Sequence, residues 1–249
     1  MKQFRSEIRE SFNVFSGSWD AQLHTIRTEL AKSNEKYYKS YGRLVSLQAW
    51  RQDVLQAKLD GDSLAFYLEA QNDCLVSHVL AHFGSWRSAL KSLRSAIENV
   101  TFCLYYKDHP VELLQWLQGK HRLAFSEIMS YLKHHPEIIG RSPKITGLTE
   151  LQKEYSTLSK AVHGSAKSFR MTKDAKGSLL WSAEKPRLNQ WATRERIVVR
   201  SINLLLITFF HTEIETTRLP NLRKAISLTI PASYYSNIKQ SFKVHLTKV

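Results

Sequence analysis

One stretch limits the architectures open to this chain more than any other: Ser85 to Pro110, SWRSALKSLRSAIENVTFCLYYKDHP. Trp86, Leu90, Leu93, Ile97, Val100 and Leu104 recur at steps of three and four, the apolar seam of a helix of about six turns. A second stripe is polar and runs through Arg87, Lys91, Arg94, Glu98, Thr101 and Tyr105. A third holds Ser88, Ser92, Ser95 and Asn99, small enough for a neighbouring helix to come close. Gly84 and Ser85 supply the start, and KDHP the stop, because the residue before a proline is pushed out of helical geometry. The rest of the chain must pack around this rod.

Its companions are also helical by pattern. Leu64, Leu68, Leu75, Val79 and Leu80 give an apolar seam to Ser63–Phe83, and Leu151, Tyr155, Leu158 and Val162 give one to a helix that Thr149 and Gln152 begin with capping-box spacing and Gly164 ends. The run IVVRSINLLLITFF centres a helix from about Arg187 to Arg218. It is too short, and too interrupted by Arg200 and Asn203, for a membrane span, so a buried helix and no membrane contact are expected. An arginine on such a helix needs an acceptor, and Glu98 is one within the sequence pattern. The fold class expected is therefore all-α: a bundle of at least four helices in one core, with Ser85–Tyr106 and Arg194–Phe210 inside it. One small β-hairpin is expected where Phe169–Lys173 and Ser178–Ser182 flank the turn Asp174–Gly177.

The first sixty residues read as exposed helices with narrow stripes, Phe4, Ile8 and Phe12, then Trp19, Leu23, Ile26 and Leu30. Asn34–Leu59 reads as a long helix that covers the core or joins two subunits. Asp60, Gly61 and Asp62 break the pattern, which puts the expected boundary between an N-terminal helical region, 1–62, and a bundle, 63–249. Two cysteines without ligand-like spacing give no disulfide framework or cysteine-based zinc site, and the charged N-terminus MKQFRSEIRESF has no secretory pattern; a cytoplasmic location is expected.

The charge points to a partner. Lys and Arg number 36 against 22 Asp and Glu, a net +14, which favours contact with a polyanion such as nucleic acid. Half of that excess lies after Ala183, which brings Arg187, Arg194, Arg196, Arg223, Lys224, Lys239 and Lys243 forward as phosphate contacts. In the tail, Tyr234, Tyr235, Ile238 and Phe242 interleave with lysines, either a packing helix or an aromatic platform for bases, with packing favoured. His78 and His82, four residues apart in HVLAH, have a spacing that can offer two imidazoles to one metal, but no glutamate or further ligand accompanies them. The expectation is that both rings hydrogen-bond on a helix face, with no metal and no cofactor.

The helix ending LRSAIENVTFCLYYKDHP, followed about fifty residues later by LQKEYSTLSKAVHGS, resembles the HEPN superfamily and related abortive-infection proteins of bacteria, over roughly Ser63 to Phe210. The resemblance implies a four- or five-helix bundle that dimerises, acting as a metal-independent RNase in a toxin–antitoxin, CRISPR-linked or other antiviral system. RNA, before DNA, is then the expected nucleic acid, and a protein from the same defence system an expected partner. The family motif is an arginine and a later histidine separated by four to six residues. His163 stands at the end of the expected helix, whereas Ser156, Thr157 and Leu158 stand where the arginine would be. In a catalytic reading His163 is the acid or base, and Arg94 or Arg200 from a neighbouring helix supplies the cation. The alternative is a non-catalytic helical module that binds nucleic acid or a partner in a defence complex; in that reading Arg94, Arg200 and Glu98 form a structural ion-pair network.

Overall fold

In the computed structural model, residues 2–163, 169–171, 180–215 and 219–248 are described, and every regular element among them is helical. Two outlying helices, α1 (Lys2–Gly17) and α2 (Trp19–Ala31), lead into α3 (Asn34–Trp50), which passes through a π-helical turn at Arg51–Leu55 and the single turn α4 (Gln56–Lys58). Then come α5 (Gly61–His82), α6 (Trp86–Asp108), α7 (Pro110–Leu117), α8 (Phe125–His134), the short α9 (Pro143–Thr146) and α10 (Leu148–His163). After them follow α11 (Lys185–Ile214), α12 (Pro220–Ser227) and α13 (Tyr235–Phe242). Most of the expected hairpin, including its turn at Asp174–Gly177, lies outside the described residues.

Helix α6 is the central rod. Its whole apolar seam from Trp86 to Leu104 is buried, and so are Ala89, Ala96, Thr101, Cys103, Tyr105 and Tyr106. The polar stripe therefore ends halfway: Thr101 turns its hydroxyl to the Ile97 and Glu98 carbonyls of its own helix, and Tyr105 stacks on His109 with ring centres 4.0 Å apart. Helices α5, α10, α11 and α8 pack around this rod. At its start Gly84 has φ +68°, and a Cβ there would meet the Ser182 carbonyl oxygen at 2.3 Å. The chain before α11 is pinned at the same place, since Trp86 Nε1 donates to Ser182 O at 2.8 Å.

Two expectations change. The seam read into α5 is only partly inside: Leu64 and Leu80 pack at the edge of the core, but Leu75 and Val79 are exposed, and the buried side is Ser63, Tyr67, Ala70, Cys74, Ser77, His78 and Ala81. Small residues face inward because α5 lies close along α6, where Asn99 Nδ2 donates to Asp73 Oδ2 at 2.8 Å. A face of Ala, Ser and Cys permits that approach better than one of Leu and Val. The second change concerns the boundary near residue 60. The break is real, with Asp60 Oδ1 accepting from the Ser63 amide at 2.6 Å to start α5. It separates two helices of one core, however: α3 buries Tyr37, Leu44, Leu47 and Trp50 and packs on α5, α11 and α12.

Helix α11 lies inside as expected. By length and composition it could cross a membrane, with mean hydropathy 1.5 in its most apolar window, yet 67% of that window is buried in the protein. It bends at Phe210, where φ is −127°. In the tail, Ile238 and Phe242 are buried, so α13 is a packing helix.

Truncating Leu93, which is fully buried, to Ala should lower unfolding stability by about 2–5 kcal/mol, and truncating Leu75 to Ala should change it by less than about 0.5 kcal/mol. Urea denaturation of the two variants measures the contrast; equal losses would put α5 in the orientation its sequence pattern implies.

Candidate functional site

The polar residues of α11 are positioned by burial. Glu195 is fully buried and receives Arg43 of α3, whose Nε donates to Oε2 at 2.9 Å and whose Nη2 bonds the same oxygen. Burial raises the Glu195 pKa, opposed chiefly by Arg43, then by Ser40 and Arg196. One turn on from Val199, Asn203 donates to Ser46 Oγ and accepts from Trp50 Nε1 at 3.0 Å. On the other side of α11, Arg194 pairs with Glu154 at 2.6 Å, and Arg200 pairs with Glu150, both on α10. Burial raises the Glu154 pKa too, with Arg194 pulling against it. Glu150 and Glu154, rather than Glu98, are thus the acceptors for α11.

These pairs decide which sequence-selected cations are available. Arg187 is buried and donates to the Arg170 carbonyl at 2.7 Å, and Arg194 is held by Glu154. Lys243 lies 3.7 Å from Glu215, Arg223 is half-buried on α12, and Lys224 and Lys239 are exposed on α12 and α13. They do not line one cleft. Arg196 does: it is exposed, has no ion pair among the described residues, and lines a cleft of about 340 Å³ between α3 and α11 with Lys36, Lys39, Arg43, Asn189 and Thr193. No carboxylate among the described residues lines that cleft. Lys39 reaches Glu35 at 3.1 Å, but both side chains are solvent-exposed, an arrangement that a phosphate readily replaces. The sequence gives no sign that Lys36 and Lys39 belong to a site, because the C-terminal excess of charge is larger than theirs and only the fold brings Arg196 of α11 beside them.

The histidine and arginines of the catalytic reading do not form one cluster. His163 is exposed at the end of α10. Arg94 is engaged on three sides, with Glu98 Oε2 at 3.0 Å, Ser159 Oγ at 3.1 Å and the Tyr155 hydroxyl, and its guanidinium lies over the Tyr155 ring. Arg200 is bound near the opposite end of α10; Glu150 and His163 are thirteen residues apart, about 20 Å along a helix axis. The expected network of Arg94, Arg200 and Glu98 is therefore two separate ion pairs. Arg87 reaches the last turn before His163, donating to the Ala161 carbonyl at 3.0 Å and to the Val162 carbonyl at 2.7 Å. It belongs to the polar stripe of α6 and was not singled out, since a helix C-terminus leaves no trace in the sequence of the residue that caps it.

His78 and His82 face each other with Nε2 atoms 3.2 Å apart, and His78 Nδ1 is 2.9 Å from Ser40 Oγ. Tyr37 stacks on His82 with ring centres 3.8 Å apart. Among the described residues no group of three or more His, Cys, Asp or Glu side chains is placed to hold a metal. Burial, then His82 and Arg43, lowers the His78 pKa to about 4, and burial lowers that of His82.

No protein-family model, curated protein or solved structure matches this chain.

The buried imidazole makes stability depend on pH with a definite sign. Between pH 6.5, the ordinary histidine value, and about 4, the unfolded chain takes up a proton that folded His78 refuses, so stability is present above that window and is lost as pH falls through it. Glu195 and Glu154, with raised pKa, act in the opposite sense. The comparison that isolates the histidine is wild type against His78→Gln: the melting temperature of the wild type should fall more steeply between pH 6.5 and 4. Parallel curves would show that His78 titrates normally.

Proposed function

We propose that the protein is a non-catalytic helical module that binds the phosphate backbone of nucleic acid, RNA in preference to DNA, within a bacterial antiviral-defence or toxin–antitoxin complex. One observation carries the binding: Lys36, Lys39 and Arg196 converge on a cleft that no carboxylate among the described residues lines, with Arg43, itself paired with Glu195, at its floor, while most other cations of α11 are neutralised inside the fold. Asn189 and Thr193 add neutral donors on the same wall, suited to phosphate or sugar oxygens. The preference for RNA and the defence setting rest on the resemblance of the α6 and α10 sequences to HEPN proteins. A cytoplasmic location goes with that setting.

Binding of this kind releases counterions, so affinity falls as salt rises, with a slope of about 0.7 per phosphate neutralised on a single strand. Lys36→Ala and Arg196→Ala should each weaken binding of single-stranded RNA at all sequences alike and reduce the salt slope by about 0.7, with unchanged thermal stability. Fluorescence anisotropy titrations at several salt concentrations measure both quantities. Unaltered affinity in the double variant would remove the cleft from the interface.

The placement of Arg87 supports a second reading, in which the chain is a metal-independent RNase of HEPN type. Its guanidinium occupies the carbonyls that immediately precede His163, so it, rather than Arg94 or Arg200, stands where a cation could stabilise a pentacoordinate phosphate beside an imidazole. Because His163 is exposed, His163→Ala should leave the melting temperature unchanged. Gel assays of RNA cleavage then separate the readings: on the binding reading, wild type and variant are equally inert, whereas cleavage by wild type that is lost in the variant establishes the RNase.

A further inference from the structure

We infer that two copies of this chain pair by exchanging α1, the apolar stripe of each docking into an apolar groove between α3 and α5 of the other. The stripe consists of Phe4, Ile8, Phe12 and Phe15, which fall on one side of a helix about 24 Å long. Each is more than half exposed, from 51% for Phe15 to 65% for Phe4. Within its own chain α1 meets α2, where Phe15 meets the edge of Trp19 at 5.2 Å. An amphipathic helix with a wholly aromatic and aliphatic face gains little by standing in water, and a helix laid into a groove is a recurrent way of covering such a face.

The groove has the matching chemistry. It measures about 310 Å³ and is lined by Tyr41, Leu44, Val45, Leu47, Leu75 and the amides Gln48 and Gln71. The two amides are joined to each other, Gln71 Nε2 donating to Gln48 Oε1 at 2.5 Å, and no charged side chain among the described residues lines the groove. Around it Tyr38, Tyr41, Val45, Leu75, Val76 and Val79 are all exposed. Leu75 and Val79 among them are residues that the sequence pattern of α5 places in a core and that the fold leaves on the surface.

Two arguments identify the occupant as a second copy. The first is charge: a chain of net +14 repels its own kind almost everywhere, and this groove has no charged lining residue, so it is a place where two copies can meet without juxtaposing like charges. The second is area. Four stripe residues and their counterparts around the groove would bury on the order of 800 Å² per helix and groove. One such contact is too small for a stable complex, but a two-fold arrangement makes it twice and buries roughly 1,600 Å², the standard size of a specific interface. Each chain carries one stripe and one groove, so the exchange closes at two.

Sedimentation velocity of the full chain over a wide range of concentration tests this, with Phe12→Asp and Leu75→Asp as variants at exposed positions whose folding is checked by circular dichroism. Wild type should sediment as a dimer and each variant alone as a monomer. An equimolar mixture of the variants should regain a weaker dimer containing one of each, because it keeps one intact stripe facing one intact groove. A monomeric wild type overturns the inference. So does a dimer that survives Leu75→Asp but not Phe12→Asp, which would mean that α1 packs on α1. Monomeric wild type that binds phosphatidylserine vesicles through Phe12 would likewise overturn it and assign the stripe to a lipid surface.

Discussion

A charged group on the buried side of a helix can stay there only if a neighbour brings its counterpart, and α11 carries several such groups. Glu195 requires Arg43, Asn203 requires Ser46 and Trp50, and Arg194 and Arg200 require Glu154 and Glu150. The first two fix the register of α3 along α11; the last two fix that of α10 on its other side. Apolar packing alone tolerates small slips of one helix along another, whereas a buried carboxylate without its guanidinium is destabilising by several kcal/mol. The ion pairs therefore act less as a source of net stability than as a specification of which helices meet and at what height. At the α10 end the backbone is drawn equally close: a Cβ on Gly147, whose φ is +72°, would lie 2.5 Å from the Ser201 carbonyl oxygen.

The same pairs explain why so little of the chain's positive charge forms a single surface. The C-terminal excess looks like a nucleic-acid footprint in the sequence, but Arg187, Arg194 and Arg200 are used up in holding α11. The arginine of α11 left without an ion pair among the described residues is Arg196, set on the side of α11 that faces the N-terminal half of α3. There Arg43, partly neutralised by Glu195, brings its positive charge to the floor of the cleft that Lys36 and Lys39 surround. The site is thus a by-product of the register: moving α3 by one turn would carry both lysines away from Arg196.

The sequence was informative where one periodicity dominated and misleading where two faces of a helix were both plausible. In α6 the steps from Trp86 to Leu104 leave only one apolar face, and that face is buried. In α5 the large residues Leu75 and Val79 outweigh Ala70, Cys74, Ser77 and Ala81 on any hydrophobicity scale, yet closeness to α6 selects the small ones. The all-helical class and the interior position of α6 and α11 were therefore legible. The pairing of each arginine was not, because Arg200 to Glu150 and Arg43 to Glu195 are contacts across 50 and 152 residues. Periodicity assigns a residue to a face of its own helix and carries no information about which helix lies opposite.

Helix α3 shows how these constraints lead towards function. One face, with Tyr37, Leu44, Leu47 and Trp50, is in the core; a second, with Lys36, Lys39 and Arg43, is the wall of the basic cleft; a third, with Tyr38, Tyr41 and Val45, is apolar and exposed. A helix that served only to cover the core would have no use for the third face and no reason to concentrate cations on the second. If two copies join along the third face, both basic clefts become parts of one rigid body, and a nucleic-acid strand held in one raises the effective concentration of its neighbouring phosphates at the other. A cleft with so few cations gives modest affinity alone, since each phosphate contact is weak at physiological salt. In the proposed pairing along α3, two weak sites would act as one, and the apolar and basic faces of this helix would be halves of a single arrangement.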